Sequence, residues 1–197
     1  MRIIGLDLAS TAMTGWSLLE ASAPSKESIQ LLQYGTLEPF DDMAEAEKYF
    51  LISQQIETLL RLFRPDNLVI EDTFFSKNVT VLKKLNRLAG HVQASWYKLH
   101  HSEAYFYMAT STRKSLDGLS GKATKEEIVA AVNKFFGLRG KLTDHNAADA
   151  IVTAYHFAMT DAFKKPDDLP KETPDVIVEK PPVVKDFAKP IPKENHK

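Results

Sequence analysis

The sequence predicts an α/β protein with a mixed five-stranded sheet flanked by helices. Three short apolar segments come first and are joined by short connections, which is typical of an antiparallel meander. Two further apolar segments alternate with long amphipathic segments, which favours strands that run parallel to the first through right-handed crossovers. This order places the first strand in the centre of the sheet, with the fourth strand beside it.

Each strand is predicted from a run of aliphatic or aromatic residues, and each helix from apolar residues spaced three and four apart. The predicted strands are residues 1–8, 16–20, 29–37, 68–71 and 104–109. The predicted helices are residues 47–63, 81–100, 125–136 and a last helix that ends near Phe163. Thr124 and Glu127 form a capping box for the third helix, and Asp144 or Asn146 caps the last one. Residues 111–124 are predicted to form a basic loop.

Composition limits the class of protein and its partners. The chain has 197 residues and no cysteine, which excludes disulfides and thiolate metal sites. No apolar run is long enough to span a membrane, so we expect no membrane partner and a cytoplasmic location. The net charge of −1 hides an excess of Lys and Arg between residues 61 and 140. This excess indicates either a polyanion-binding surface or an ordinary solvated one.

The domain organisation follows from a change in composition. Residues 1–163 suit one domain with a single core. Residues 164–197 hold most of the ten prolines among alternating charges, so we expect a disordered or extended tail.

Three carboxylates stand where strands end or a helix begins. Asp7 lies near the end of the first strand, Glu71 ends the fourth, and Asp149 lies near the start of the last helix. Burying a carboxylate without a partner costs roughly several kcal/mol of free energy, and a bound divalent metal ion would offset that cost. If the first and fourth strands are parallel neighbours, Asp7 and Glu71 lie side by side. Asp7 could instead cap the turn that follows it.

Predicted helix 81–100 carries an apolar stripe at alternating spacings of three and four residues. The stripe indicates either packing in the core or the seam of a homodimer. Its members are Leu82, Leu85, Ala89, Val92, Trp96 and Leu99.

Three segments in order resemble the motifs of the RuvC family of Holliday-junction resolvases, which have a ribonuclease H-like fold. They begin at Gly5-Leu-Asp7-Leu-Ala-Ser10, at Phe63-Arg-Pro65-Asp66 with Val69-Ile-Glu71, and at Asn146-Ala-Ala-Asp149-Ala. The resemblance covers roughly residues 1–158. The usual Pro-Gly after the first aspartate is here Leu8-Ala9, and the usual fourth acid is Asn146. The Asn146 departure and the long tail leave room for a looser nuclease of viral origin, such as a phage-type member.

The resemblance implies a metal site. Asp7, Glu71 and Asp149 would be catalytic ligands of two Mg²⁺ ions bridged by Asp7, with Mn²⁺ as a substitute. Asn146 could add a carbonyl oxygen as a weaker ligand, or it could cap the helix instead.

The resemblance also implies a DNA-binding surface. Lys114 and Lys125 would act in catalysis beside the scissile phosphate, or they could be plain surface lysines. Phe74 would be a wedge that stacks on unpaired bases, or it could pack in the core. The basic residues expected to contact DNA are Lys77, Lys83, Lys84, Arg87, Arg113, Lys114, Lys122 and Lys125.

The implied function is resolution of four-way DNA junctions by paired, Mg²⁺-dependent hydrolysis of phosphodiester bonds in recombination and repair. The enzyme would be a homodimer through helix 81–100, since two sites about a two-fold axis cut two strands symmetrically. Two alternatives stay open: a broader branched-DNA or flap nuclease, and a catalytically weak protein that binds DNA structures.

Overall fold

The computed structural model describes residues 1–9, 13–38, 42–72 and 78–164. Its strands are β1 (Arg2–Asp7), β2 (Thr14–Ala21), β3 (Ile29–Leu37), β4 (Asn67–Asp72) and β5 (Tyr105–Met108). Its helices are α1 (Glu45–Phe63), α2 (Val79–His100), α3 (Ala109–Lys114), α4 (Lys125–Phe135) and α5 (His145–Thr160). A short 3₁₀ turn, Lys26–Ser28, precedes β3.

The predicted mixed sheet is confirmed. Its strand order is β3-β2-β1-β4-β5, with β1 in the centre. β1, β2 and β3 form an antiparallel meander, whereas β1 pairs parallel to β4 and β4 pairs parallel to β5. Short connections within the meander and helical crossovers after it account for the two kinds of pairing.

Alternation along the strands divides the core into two layers. Ile4 and Leu6 of β1 lie in the cluster that contains α1 and α2. Ile3 lies in the cluster on the opposite face, which contains α4 and α5. Because successive side chains of a strand point to opposite faces, Asp7 shares the face of Ile3. Parallel β4 places Glu71 on the same face, since its neighbour Ile70 lies with Leu6.

The apolar stripe of α2 packs in the core. Val92 and Trp96 are fully buried, and Leu85, Ala89 and Leu99 pack against the same cluster as α1. The core-packing interpretation is therefore confirmed for these residues. The homodimer hypothesis stays a prediction, and it now needs the exposed side of α2.

Helix α5 is buried along almost its whole length against the opposite face of the sheet. Its small residues allow very close packing: a Cβ on Gly5 would lie 2.3 Å from the Ala150 carbonyl oxygen. Ser17 Oγ donates a hydrogen bond of 2.9 Å to that same carbonyl. The helix is thus fixed over β1 and β2, with its first turn at the strand ends.

Three local predictions need correction or choice. The predicted loop 111–124 is wrong at its start, because α3 extends to Lys114. A six-residue helix with no apolar period gives no sequence signal. The last helix ends at Thr160 rather than near Phe163. Asp144 caps α5, since its Oδ1 accepts from the Ala147 N–H at 2.8 Å, so Asn146 is not the cap.

The capping box of α4 is confirmed. Thr124 Oγ1 accepts from the Glu127 N–H at 3.3 Å, and Glu127 Oε2 accepts from the Thr124 N–H at 2.7 Å. Gly137 follows the helix with a φ of +65°, a left-handed conformation that suits glycine. These caps fix where α4 begins and ends.

Residues Met1–Lys165 form one compact unit. The predicted tail lies, from residue 165 onward, outside the described residues, so its character and the boundary at residue 163 stay predictions. Among the helices of the described residues, none combines the length and the apolar character that crossing a membrane requires.

Candidate active site

The ends of two parallel strands bring the first two predicted carboxylates together. Leu6 of β1 pairs with Ile70 of β4, so Asp7 and Glu71 are the next residues along neighbouring strands. Such strands lie about 4.8 Å apart, and residues in register project to the same side. The sheet therefore presents two acidic side chains next to each other at one edge.

Helix α5 supplies the third carboxylate, Asp149, which is only 5% exposed. Gly15, which pairs with Asp7 across β1 and β2, lets the start of α5 approach: a Cβ there would lie 2.0 Å from the Asn146 carbonyl oxygen. The Asn146 side-chain amide donates a hydrogen bond of 2.6 Å to the Met13 carbonyl. Backbone packing and this amide together hold Asp149 over the strand ends.

The three carboxylates interact electrostatically. Burial raises the pKa of Asp7 well above its ordinary value, and the Glu71 and Asp149 carboxylates raise it further. Burial and the Asp149 carboxylate raise the pKa of Glu71 to about 7. Burial also raises the pKa of Asp149, against the opposing effect of Arg113. The cluster is therefore short of positive charge.

Two cations partly offset this charge. Arg113 Nη2 lies 3.3 Å from Asp149 Oδ1, and both side chains are largely buried. Lys125, the first residue of α4, lowers the pKa of all three carboxylates together with Arg113. Sequence reasoning assigned Arg113 to DNA contact and missed its pairing with Asp149. The only signal was its place in a basic segment.

The residues fit a divalent metal ion by their chemistry. All three acidic ligands offer oxygen atoms, which Mg²⁺ prefers. Glu71 Oε2 is buried and accepts no hydrogen bond from the described part of the chain, so it has an unused acceptor for a cation. The described residues contain no ready-made group of three acidic or histidine side chains in metal-holding geometry. Arg113 instead occupies one carboxylate oxygen of the cluster.

The predicted DNA-contacting lysines lie on two surfaces. Lys114 ends α3, Lys122 precedes α4 and Lys125 begins α4, and all three are exposed. The Lys114 side chain passes Gly121, where a Cβ would lie 3.0 Å from Lys114 Cε. The end of α3, the loop that follows it and the start of α4 thus present these amines, and Lys125 is close enough to the acidic cluster to lower the pKa of its carboxylates.

The second surface is on α2. Lys84 Nζ lies 2.8 Å from Glu45 Oε2, and Arg87 Nη1 lies 3.1 Å from Glu45 Oε1. These ion pairs join α2 to the start of α1. Glu45 thus partly neutralises two of the positive side chains that were predicted to bind DNA. Lys83 is exposed. The predicted contacts Phe74 and Lys77 lie outside the described residues.

The mixed five-stranded sheet with helices on both faces gives this chain a ribonuclease H-like fold. Within that class, the family model described as Crossover junction endodeoxyribonuclease RuvC matches residues 3–156. The chain therefore belongs to the RuvC family.

Relatives and solved structures agree with this membership. The Crossover junction endodeoxyribonuclease RuvC of Synechocystis sp. is 29% identical over 153 residues, which cover 78% of this chain and 88% of the relative. The Thermus thermophilus RuvC structure superposes with a TM-score of 0.68 at 22% identity, over 81% of this chain and 94% of that one. T. thermophilus RuvC in complex with a Holliday junction substrate gives a TM-score of 0.67 at 19% identity, over 81% and 93%. At these identities the structures support the fold alone.

Proposed function

We propose that this chain is a Mg²⁺-dependent endodeoxyribonuclease that resolves four-way DNA junctions. Membership of the RuvC family supports the reaction class. The observation that carries the proposal is the convergence of Asp7, Glu71 and Asp149, since β1 and β4 are parallel neighbours and the start of α5 packs against Gly15 beside Asp7. Three neighbouring buried carboxylates repel one another, and a bound divalent cation would relieve that repulsion.

In the proposed mechanism, Asp7, Glu71 and Asp149 would hold the metal, and we expect two Mg²⁺ ions per site, replaceable by Mn²⁺. The chemistry supplied by such ions would be activation of a water molecule as nucleophile and stabilisation of charge on the leaving oxygen. Asn146 could offer its side-chain oxygen, because its amide nitrogen is already used by Met13.

The chain's own cations orient the substrate. Lys125 extends from the first turn of α4, where unpaired backbone N–H groups also favour phosphate. Lys114 and Lys122, in the segment that precedes α4, are also exposed. These lysines would hold the scissile phosphate at the acidic cluster and would neutralise its charge as the bond breaks.

Junction selectivity would come from pairing two sites. We propose a homodimer through the exposed side of α2, where Tyr97 is 52% exposed and Gly90 and Ala94 are small. Sedimentation of wild type and Tyr97→Glu tests the dimer, since a carboxylate buried in the interface would dissociate it.

Phe74 would stack on bases at the branch point, a contact worth roughly 1–3 kcal/mol per base. We further expect the protein to act in the cytoplasm.

The deciding experiment is to incubate the protein with a synthetic four-way junction, a flap and a plain duplex, each with Mg²⁺ or EDTA. We expect paired nicks in opposite strands of the junction only, and only with Mg²⁺. Asp7→Asn should abolish cleavage and leave junction binding in EDTA intact. Equal cleavage of the flap would favour a broader branched-DNA nuclease. Binding without cleavage would favour a DNA-structure binding protein.

A further inference from the structure

Arg113 lies inside the acidic cluster rather than on the outer surface. Its side chain is 19% exposed and that of Asp149 is 7% exposed. It reaches the cluster from the last turn of α3, which packs directly against α5. The buried face of α3 includes Thr112, which fixes the direction from which Arg113 approaches.

The guanidinium is held by few contacts. Among the described residues, its polar contact is one bond, from Nη2 to Asp149 Oδ1 at 3.3 Å. Arg113 Nε is buried and has no hydrogen-bond partner there. A strong arginine–carboxylate ion pair is bidentate, with two parallel hydrogen bonds of about 2.8 Å. The guanidinium therefore neutralises Asp149 without being locked to it.

The neighbouring position 146 adds to this arrangement. A carboxylate at this position would add a negative charge to the cluster, whereas Asn146 adds none. The Asn146 amide donates a hydrogen bond to the Met13 carbonyl instead. The cluster thus has three acidic side chains, one internal arginine and the nearby Lys125. Arg113 occupies a carboxylate oxygen that a metal ion also needs.

We propose that Arg113 and a divalent metal ion compete for Asp149, so that the arginine holds the metal-free site together and must leave Asp149 when metal binds. This inference rests on the proposed metal site. The released guanidinium, beside Lys114 at the end of α3, then contacts a phosphate of the DNA. Arg113 is accordingly a positioning residue, which acts on the metal through Asp149.

The test measures Mn²⁺ binding to the protein without DNA, by the loss of the free-ion electron paramagnetic resonance signal. Arg113→Gln should bind Mn²⁺ about tenfold more tightly than wild type, the scale on which groups around metal ligands change affinity. Arg113→Lys keeps a positive charge beside Asp149 and should tighten Mn²⁺ binding less than Arg113→Gln does. Arg61→Gln on α1, which packs on the opposite face of the sheet, is the control for loss of one positive charge.

Unchanged or weaker Mn²⁺ binding by Arg113→Gln would overturn the inference, and so would equal tightening by Arg113→Lys. Asp7→Asn separates this inference from the proposed metal site. If Asp7→Asn binds Mn²⁺ as wild type does, the metal site itself is wrong. If Asp7→Asn loses binding while Arg113→Gln gains none, only the role of Arg113 is wrong. Thermal unfolding checks that the variants fold. If Arg113→Gln does not fold, Arg113→Met takes its place, because methionine keeps the apolar stem of the side chain.

Discussion

Replacing Gly15 by alanine should separate α5 from the sheet. The new Cβ would lie 2.0 Å from the Asn146 carbonyl oxygen, 2.1 Å from its carbon and 2.7 Å from the Ala147 nitrogen. All three are backbone atoms, so no side-chain rotation relieves the contact. Ordinary van der Waals contact begins near 3.4 Å, so the first turn of α5 must move back by about 1.4 Å. Gly15 is not in the left-handed region, so the effect is steric.

The magnitude follows from that displacement. Overpacking of a well-packed core costs about 1–3 kcal/mol, and we expect Gly15→Ala to lower the free energy of unfolding by that amount. Since Asp149 lies one turn further along α5, it moves away from Asp7 and Glu71. A misplacement of about 1 Å at a catalytic group can reduce the rate roughly 100-fold.

Urea unfolding and single-turnover cleavage of a four-way junction measure the two effects. Gly90→Ala is the matched control for the urea unfolding alone: Gly90 has no atom of its own chain within 4 Å of a new Cβ, but it lies on the side of α2 proposed for the dimer. That control should stabilise the protein by about 0.5–1 kcal/mol, because alanine favours a helix. A Gly15→Ala variant as stable and as active as wild type would refute the close approach of α5.

Three further predictions concern the acidic cluster. The raised pKa of Glu71 means that the folded carboxyl keeps its proton until about pH 7, whereas the unfolded one loses it near 4.5. In EDTA, the free energy of unfolding of the wild type should therefore fall, relative to that of Glu71→Gln, as the pH rises from 4.5 to about 7. Urea unfolding over this pH range measures the difference, and parallel profiles of the two proteins would contradict the prediction. Asn146→Asp should destabilise the protein by about 1–3 kcal/mol, because a carboxylate cannot donate a hydrogen bond to the Met13 carbonyl. Urea unfolding at neutral pH in EDTA measures this loss, and an unchanged unfolding midpoint would argue against the Asn146–Met13 hydrogen bond. Lys125→Gln should slow junction cleavage about 100-fold, because the exposed Lys125 amine would no longer neutralise the scissile phosphate; normal single-turnover rates would exclude a role at the phosphate.

The sheet could be predicted from the sequence because its strands are short apolar runs separated by unambiguous breaks. β3 was predicted with both ends correct, at Ile29 and Leu37. The position of β1 between β2 and β4 followed from connection lengths and the handedness of crossovers. This order was sufficient to predict that Asp7 and Glu71 end neighbouring strands.

The finer structure of the site was beyond sequence reasoning. Helix α3 is too short to show a period, so the burial of Arg113 beside Asp149 had no pattern to indicate it. The choice between Asp144 and Asn146 as cap depends on backbone torsions, which residue type alone leaves open. The roles of Gly5 and Gly15 depend on how closely α5 approaches, a property of packing between residues more than 100 positions apart.

The place of α5 in the chain bears on how the protein is made. α5 is the last helix in the described residues, yet it forms much of one core layer and brings Asp149 to the acidic cluster. A polypeptide still emerging from the ribosome has β1 and β4 without their covering helix. The acidic cluster is thus completed only when nearly all of the described chain has been synthesised. Chains that end before α5 lack Asp149, so the proposed metal site cannot form in them.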